Sequence, residues 1–506
     1  MLEGSIVNVL KKNFNLNSLF PYQELIIKSI LDGDLFFKEL EIDNTFKNQI
    51  VILPTGSGKS ICFQLPPFFL KHLTVVVYPL LSLMNDQKRR MEKASLKVAE
   101  LKGAQSKTQR KQIFDQLKKN EAQILITNAE TITQKSVTEF LKTIPISLFV
   151  VDEAHTVTQW GETFRPSYLL LKETINQLKV NQLIAFTATA SPYILKRIRE
   201  LLFKDENVNI VYGNPDRPNI YYRSLPSLAK IHDLEFLAKD WLKRPLIVFC
   251  NSRKRCETVA ANLQLRFSDI PIQFYHAGLS SVQRKEIENW FFEKEDAILI
   301  STKAYGMGLD KKNIRSAIHY DIPCDVESYL QESGRAGRDG SQAYSIILYE
   351  NKDFLAKNKS NGFKRLLAIA SDNENCKREA VLKQLNYTLE YCFGCDVCDN
   401  NIFNEADGQK EIIDLLFCYP FRFTSFEATA LFKGSKFSGY KWYGVFEKWH
   451  QDDITIAINS LIQADIIRRT ALPFFKGRLY LNYRVFNKQV CQRLSKLLRF
   501  FYRHRH

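Results

Sequence analysis

Short apolar segments rich in β-branched residues alternate with helical patterns from about residue 50 to residue 350 of this chain. This alternation is typical of parallel sheets that are covered by helices. The segments predicted to be buried strands are Ile50–Leu53, Leu73–Tyr78, Ala122–Thr127, Leu148–Val151, Leu183–Thr187, Pro245–Cys250, Ile272–His276, Ala297–Ser301, Ala317–Tyr320 and Tyr344–Tyr349.

Ten strands are more than a single sheet usually contains. The turn-rich stretch Tyr212–Pro218 divides them into two groups along the chain. After residue 350 the pattern becomes helical and charged, and an apolar segment at 472–481 predicts a β-ribbon that turns at Lys476-Gly477. We therefore divide the chain into two α/β lobes at 1–210 and 211–350, a helical region at 351–402, a smaller helical unit at 403–485 and a basic tail at 486–506.

Charge and composition narrow the class of partner. The chain has 506 residues, 45% of them hydrophobic, and a formal net charge of +16. Such a balance favours a polyanion partner, although a basic soluble enzyme would have the same composition. No apolar stretch predicts a membrane span, and the first residues do not resemble a signal peptide, so we expect a cytoplasmic protein.

A glycine-rich loop follows the first predicted strand. Residues 54–60 read Pro-Thr-Gly-Ser-Gly-Lys-Ser. We expect a helix to open at Lys59 or Ser60, which directs backbone N–H groups and the positive end of the helix dipole at one point. Gly56 and Gly58 let the backbone approach phosphate oxygens. Lys59 would contact the β- and γ-phosphates, and the Ser60 hydroxyl would ligate Mg²⁺. An ordinary glycine turn is the alternative. The predicted nucleotide contacts are Thr55, Gly56, Ser57, Gly58, Lys59 and Ser60.

An acidic pair ends a later strand in the same lobe. Residues 152–155 read Asp-Glu-Ala-His. Asp152 would hold Mg²⁺ through water, and Glu153 would polarise the attacking water. Together the glycine loop and the acidic pair predict a site that hydrolyses a nucleoside triphosphate.

A longer signature follows the acidic pair and carries a family resemblance. Residues 152–168 continue with Gln159, Trp160, Gly161, Phe164, Arg165, Pro166 and Tyr168 at the spacing found in the RecQ family of superfamily 2 DNA helicases, which this chain resembles. The Asp-Glu-Ala-His sequence alone is less specific, because RNA helicases share it. Further segments that resemble motifs of the family are 78–87, 187–190, 248–253, 275–279, 306–311 and 329–340.

The resemblance implies an architecture and an activity. The architecture is two RecA-like parallel-sheet lobes, a helical zinc-binding subdomain and a winged-helix domain. The activity is ATP-dependent translocation from 3′ to 5′ on single-stranded DNA with unwinding of duplex DNA, in recombination or repair. ATP would lie between the lobes, with Arg335 and Arg338 as arginine fingers and Arg338 as the stronger candidate for the direct contact. His155 would be catalytic, and Asp310 would contact the nucleotide.

The aromatic loop after the acidic pair is assigned to DNA binding. Trp160 and Phe164 would stack on unpaired bases, which is worth about 1–3 kcal/mol per base. Arg165 would pair with a phosphate or with the acidic motif, and Gln159 belongs to the same signature. The alternative is that the two aromatic residues are part of an apolar core.

The chain departs from the family pattern near its start. Residues 17–23 resemble the segment that recognises adenine, and Gln23 matches the glutamine that bonds the base. The family's preceding arginine is replaced by Phe20. Residues 34–49 form an extra stretch for which we predict only a surface insertion.

Four cysteines follow the spacing C-x15-C-x2-C-x2-C. Short gaps let thiolates from one tight loop face a single ion, and a distant cysteine on a helix completes a tetrahedral site, so a structural zinc ion is predicted. A disulfide, buried thiols and an iron–sulfur cluster are the alternatives. The predicted ligands are Cys376, Cys392, Cys395 and Cys398.

The C-terminal unit resembles the winged-helix domain of the family, which implies that it holds duplex DNA through phosphate contacts from basic residues. Within this chain no further helical DNA-binding module is expected after it. The predicted cofactors are ATP, Mg²⁺ and Zn²⁺, and the partners are single-stranded DNA, duplex junctions and possible single-strand-binding and repair proteins, with a nucleoid association if the source is bacterial. An RNA helicase of the DEAH type and a DNA-binding adaptor without motor activity are the alternatives. The candidate phosphate contacts are Lys433, Lys436, Lys441, Arg468 and Arg469.

Overall fold

The computed structural model describes residues 2–39, 48–54, 57–160, 166–178, 180–188, 191–203, 208–303, 311–356 and 358–482. The described chain forms two compact units that meet in the sequence at Arg217 and Pro218, and residues 382–389 belong with the first unit. Among the described helices, none has the length and apolar character needed to cross a membrane.

The first unit is built on a parallel sheet. Its strands are β1 (Asn48–Ile52), β2 (Leu73–Val77), β3 (Val98–Glu100), β4 (Ile124–Thr127), β5 (Ile146–Val151), β6 (Gln182–Thr187) and β7 (Asn209–Tyr212). In the described residues their spatial order is β3-β4-β2-β5-β6-β1-β7, and every pairing is parallel. Every residue of β2, β5 and β6 is buried, as expected for central strands of a sheet covered on both faces.

Helices cover both faces of this sheet. Successive strand residues point to opposite faces, so Ile50 and Ile52 belong to one apolar core and Val51 to the other. The helices are α1 (Leu2–Phe14), α2 (Pro21–Glu39), α3 (Ile61–Gln64), α4 (Leu81–Lys93), α5 (Lys107–Lys118), α6 (Ala129–Ile132), α7 (Lys135–Leu141), α8 (His155–Trp160), α9 (Leu171–Leu178) and α10 (Pro192–Leu202).

The second unit contains a second parallel sheet, with β8 at one edge. Its strands are β8 (Ile220–Pro226), β9 (Leu246–Phe249), β10 (Ile272–Tyr275), β11 (Ile298–Ser301), β12 (Ser316–His319) and β13 (Ala343–Tyr349), in the spatial order β10-β11-β9-β12-β13-β8. The helices along this part of the chain are α11 (Lys230–Phe236), α12 (Arg253–Arg266), α13 (Ser281–Glu293), α14 (Val326–Ser333), α15 (Asn351–Leu355), α16 (Asn361–Ser371) and α17 (Lys377–Lys383).

A small helical module with an antiparallel ribbon completes the second unit. Its apolar core also contains Leu228 and Ala229, so the module packs on the segment between β8 and α11. Its elements are α18 (Gln409–Cys418), α19 (Ser425–Lys433), α20 (Gln451–Gln463), β14 (Ile467–Arg469) and β15 (Leu479–Leu481).

The predicted fold class, two parallel-sheet lobes followed by helical modules, is confirmed. Each segment predicted as a strand overlaps one, but β3, β7, β8 and β14 were not predicted. The predicted ribbon at 472–481 is wrong in its first half, because β15 pairs with β14 and Pro473–Phe475 forms a helical turn. Pro473 has no N–H to donate to a ladder, and its fixed φ suits the first position of such a turn.

Candidate nucleotide and metal sites

The phosphate loop follows β1 in the first unit, and the structure describes it from Ser57 onward; Thr55 and Gly56 lie outside the described residues. Gly58 has a φ of +75°, and a Cβ at this position would lie 2.6 Å from Gln23 Nε2, so only glycine fits without strain. The helix predicted to open at Lys59 or Ser60 begins instead at Ile61 and ends after four residues. The following Pro66-Pro67 lacks the N–H groups that a longer helix would need.

Gln23, the predicted adenine contact, bonds the phosphate loop in this structure. The side chain is buried, and its Nε2 donates to Ser57 O at 3.2 Å and to Gly58 O at 3.3 Å. Its Oε1 accepts the N–H of Phe20 at 2.9 Å. The neighbouring Tyr22 hydroxyl also donates to Ser57 O, at 2.8 Å. Gln23 thus supports the loop backbone here, and its contact with adenine stays a prediction.

Lys59, Glu153 and His155 come together where β1, β5 and β6 end. Lys59 Nζ lies 3.3 Å from Glu153 Oε1, and His155 Nδ1 lies 3.4 Å from Glu153 Oε2. His155 Nδ1 also lies 3.1 Å from the Thr187 hydroxyl, at the end of β6. Glu153 has a φ of +50°, an uncommon conformation for a residue with a side chain, and such conformations concentrate at functional sites.

Asp152 is buried beside this group, with 7% of its surface exposed. Burial and the neighbouring Glu153 carboxylate raise the pKa of Asp152 to about 7, while Lys59 opposes the rise. One lysine therefore faces two adjacent carboxylates. A hard divalent cation prefers oxygen ligands, so this carboxylate pair fits Mg²⁺. The ion would offset the negative charge that remains after the single positive charge of Lys59 is counted.

Arg335 and Arg338 belong to the loop that follows α14 in the second unit. Arg335 is buried, with 8% of its surface exposed, whereas Arg338 is half-buried. Between them, Gly337 has a φ of +59° and turns the backbone sharply. Arg338 is thus the more accessible of the two residues. Asp310 lies outside the described residues.

The aromatic loop is described only at its two ends. Gln159 and Trp160 close α8, but the structure does not describe their side chains, and Phe164 and Arg165 lie outside the described residues. Tyr168 is buried in the first unit, with 1% of its surface exposed. The DNA contacts assigned to this loop therefore remain predictions.

The four predicted zinc ligands form one cluster. Their sulfur atoms all lie within 4.8 Å of one another, and none of the described cysteines forms a disulfide. Tetrahedral thiolates at about 2.3 Å from zinc lie about 4 Å apart, so the cluster has the dimensions of a zinc site. The members are Cys376, Cys392, Cys395 and Cys398.

Backbone N–H groups support the sulfur atoms. Cys376 lies directly before α17 and not on a helix as predicted, and its Sγ accepts the N–H of Glu379 at 3.4 Å. The Sγ of Cys395 accepts the N–H of Cys398 at 3.4 Å. The hydrogen bond between Cys395 and Cys376, together with the backbone N–H groups of Cys398 and Lys377, lowers the pKa of Cys395 to about 4. Thiolates are the form that binds zinc, so the donor set fits this ion.

The cysteine loop is attached to the edge of the second sheet. Cys395 forms a parallel bridge with Tyr222 of β8, and Tyr222 O accepts the N–H of Asp396 at 3.1 Å. The buried Asp396 carboxylate accepts the N–H of Ser224 at 2.8 Å. Arg378 is fully buried, with its guanidinium 5.0 Å from the centre of the Tyr222 ring. Sequence spacing predicted the four cysteines but contained no signal for these supports.

Three of the five basic residues proposed for phosphate contacts bond within their own module. Lys433 Nζ donates to Trp449 O at 2.7 Å, Arg468 pairs with Asp465 at 2.6 Å, and Arg469 donates to Asn459 at 2.8 Å. The other two lie beside aromatic rings: Lys436 is 5.9 Å from the Phe426 ring and Lys441 is 5.4 Å from the Trp442 ring. Lys436 and Lys441 are therefore the better candidates for contacts with DNA phosphates.

Known families and relatives match this chain. Residues 20–198 match the DEAD/DEAH box helicase family, and residues 229–340 match the helicase conserved C-terminal domain. ATP-dependent DNA helicase RecQ of Pasteurella multocida is 32% identical over 78% of this chain and 62% of its own length. ATP-dependent DNA helicase RecQ of Bacillus subtilis is 31% identical over 83% of this chain and 75% of its own length. This chain thus spans less than two thirds of the first relative.

A solved structure supports the fold alone. Mss116p, bound to single-stranded RNA and AMP-PNP, superposes with a TM-score of 0.56 at 15% identity, covering 90% of this chain and 90% of that chain. Because that protein is bound to RNA, the fold by itself does not distinguish a DNA helicase from an RNA helicase. That distinction depends on the relatives that are similar in sequence.

Proposed function

This chain belongs to the RecQ family of helicases, and we propose that it hydrolyses ATP to translocate 3′ to 5′ on single-stranded DNA and to unwind duplex DNA. The observation that carries the proposal is the constellation of Lys59, Glu153 and His155 beside the buried Asp152. Phosphoryl transfer to water requires a glycine-rich loop that binds the phosphates, a lysine that can reach them and a carboxylate that orients the attacking water.

The contact between Lys59 and Glu153 suggests the order of events. A triphosphate carries more negative charge than one carboxylate, so Lys59 would move to the arriving phosphates and release Glu153. Glu153 would then accept a hydrogen bond from the attacking water and orient it. His155, beside the Thr187 hydroxyl, would keep the second Glu153 oxygen in place. Asp152 and Ser60 would hold Mg²⁺, which supplies positive charge at the phosphates.

The arginine and aromatic loops complete the proposed machinery. On the family resemblance, Arg338 contacts the γ-phosphate in the transition state, and Arg335 supports it. Gln159, Trp160, Phe164 and Arg165 contact single-stranded DNA by stacking and phosphate pairing.

Lys436 and Lys441 are proposed as phosphate contacts of the module at 403–485, which we propose is a winged helix. On the same resemblance we also propose the division of the chain into five regions. We further propose a role in recombination or repair, single-strand-binding protein partners and a cytoplasmic location.

The cysteine cluster is proposed to hold one zinc ion with a structural role. Four sulfurs within 4.8 Å suit a single ion, whereas an iron–sulfur cluster holds several metal ions and needs its cysteines further apart. Mass spectrometry of the purified protein should detect about one zinc per chain and no iron. Iron in stoichiometric amount would overturn this proposal.

A strand-displacement assay tests the motor. We expect ATP-dependent unwinding of duplexes with a 3′ single-stranded tail, none with a 5′ tail alone, and hydrolysis stimulated more by single-stranded DNA than by RNA. Lys59→Ala should abolish unwinding while DNA affinity is unchanged. Lys28→Ala, an exposed lysine paired with Glu24 on α2, serves as the matched control. Unwinding that persists in Lys59→Ala would end the assignment.

A further inference from the structure

The loop at 334–341, here called the arginine loop, is fixed by one asparagine outside it. Asn219 Nδ2 donates to Gly337 O at 2.8 Å and to Ser341 O at 2.8 Å. These two carbonyls lie on either side of Arg338 in the sequence. Both amide hydrogens of Asn219 are therefore used to hold the backbone that carries this arginine.

Gly337 and Asn219 fit each other closely. Gly337 has a φ of +59°, and a Cβ at this position would lie 2.4 Å from Asn219 Nδ2 and 2.7 Å from Ser341 O. No other residue could adopt this turn while Asn219 keeps both hydrogen bonds. The glycine in this part of the loop is thus explained by the asparagine.

The other side of the arginine loop is held by the segment before β12. Gly337 N donates to Ile314 O at 2.8 Å. The two guanidinium nitrogens of Arg315 lie 3.0 Å and 2.5 Å from the two carboxylate oxygens of Asp339. This bidentate pair is the main reason that the pKa of Asp339 is lowered to about 2. The backbone is therefore constrained on both flanks of Arg338.

Asn219 also links the loop to the start of the second sheet. It lies directly before β8 and after the turn-rich stretch 212–218, and its backbone carbonyl accepts the N–H of Ala343 at 2.8 Å. An asparagine carries no charge and does not titrate, so it contributes no chemistry of its own. Its only evident role is to orient the loop.

We propose that Asn219 is a positioning residue for Arg338 and fixes the loop in the conformation that presents the guanidinium to the γ-phosphate. The inference rests on the role of Arg338 in the proposed function. Because an arginine finger stabilises charge that develops on the phosphates in the transition state, loss of positioning should lower kcat and leave ATP binding unchanged.

Asn219→Asp tests the inference with almost no change in size. It removes both N–H donors and places a carboxylate against two carbonyls. We expect the DNA-stimulated kcat to fall about tenfold, which corresponds to about 1.4 kcal/mol in the barrier. The KM for ATP and the affinity for single-stranded DNA should stay within twofold. Asn262→Asp is the matched control, because Asn262 is half-buried on α12 and donates to Thr258 O at 2.8 Å.

A double variant separates positioning from general stability. If Asn219 acts through Arg338, Asn219→Asp should cause no further loss of kcat in an Arg338→Ala background. Equal losses in the two backgrounds, or an unchanged kcat in Asn219→Asp alone, would overturn the inference. An unchanged kcat in Arg338→Ala alone would instead refute the role of Arg338 in the proposed function. If Asn219→Asp does not fold, Asn219→Ser can replace it in the same comparison of wild-type and Arg338→Ala backgrounds, because serine keeps one hydroxyl donor on a shorter side chain.

Discussion

The phosphate loop and the cysteine cluster were both predicted from residue spacing, but they are stabilised in different ways. In the phosphate loop, side chains of opposite charge satisfy one another, since Lys59 Nζ lies 3.3 Å from Glu153 Oε1. The strands beneath it, β5 and β6, are buried throughout and do not depend on a ligand. In the cysteine cluster, four sulfurs face one another within 4.8 Å. Three belong to a loop attached to an edge strand, and the fourth, that of Cys376, lies directly before α17.

On the proposed function, this difference separates a site that exchanges its ligand, a nucleotide, from a site whose ligand, a zinc ion, is part of the fold. A nucleotide must enter and leave in each cycle, so the phosphate loop has to be stable without it. A zinc ion bound by four thiolates contributes folding free energy and is not exchanged. Substitutions at the first site should therefore affect nucleotide binding or turnover and leave folding intact, and substitutions at the second should affect folding.

The largest expected effect is that of Cys395→Ser. The Cys395 side chain is fully buried, and its backbone forms a bridge with Tyr222 of β8. Loss of the ion should therefore also remove the backbone contacts that the cysteine loop makes with this edge strand. We expect most of the folded protein and nearly all bound zinc to be lost, as measured by thermal unfolding and metal analysis. Cys418→Ser, at an exposed cysteine outside the cluster, should change neither quantity. A folded and active variant without metal would show that the cluster does not support the fold.

Glu153→Gln should have the next largest effect, and on turnover only. The amide keeps the size of the side chain but cannot accept a proton or bind water as strongly, so we expect kcat for ATP to fall about 10²–10³-fold. The melting temperature and the affinity for ATP should be almost unchanged. Glu121→Gln, at an exposed position, is the control. A large drop in melting temperature would mean that the pair with Lys59 is needed for the fold, and the contrast with the cysteine cluster would fail.

Gly58→Ala tests whether the loop backbone is as rigid as its contacts indicate. The left-handed conformation costs a residue with a side chain about 1–2 kcal/mol, and the added Cβ would lie 2.6 Å from Gln23 Nε2. ATP affinity should fall about tenfold by calorimetry. Gly103→Ala, where a Cβ would meet no atom within 4 Å, should bind ATP normally. Equal affinity in the two variants would mean that the loop adapts to the extra carbon.

Local patterns in the sequence predicted the parts of the site that are continuous in the chain. The strand before the phosphate loop, the acidic pair after β5 and the cysteine spacing all depend on residues within a few positions of one another. The edge strand β8 was missed, since its seven residues include Arg223 and end in Pro226 and thus lack an uninterrupted apolar run.

Contacts between residues far apart in the sequence were not predicted. Asn219 bonds Gly337 from 118 positions away, and Asp396 accepts from Ser224 across 172 positions. Neither residue type has a propensity that would indicate such a partner, because the pairing is decided by which strands become neighbours. Sequence reasoning therefore yielded candidate reacting groups and candidate metal ligands, but not the residues that hold them in place.

Gln23→Ala should have the smallest effect and decides what Gln23 does. Its amide makes three hydrogen bonds to loop and neighbouring backbone, each worth about 1 kcal/mol net, while the Tyr22 hydroxyl keeps its own bond to Ser57 O. If Gln23 mainly supports the loop, the KM values for ATP and GTP should rise by the same few-fold factor, and this is the result we expect. A rise confined to ATP would instead assign Gln23 to adenine, as the family resemblance implies. Gln264→Ala, which removes a comparable bond to Ile272 O in the second unit, should leave both KM values unchanged.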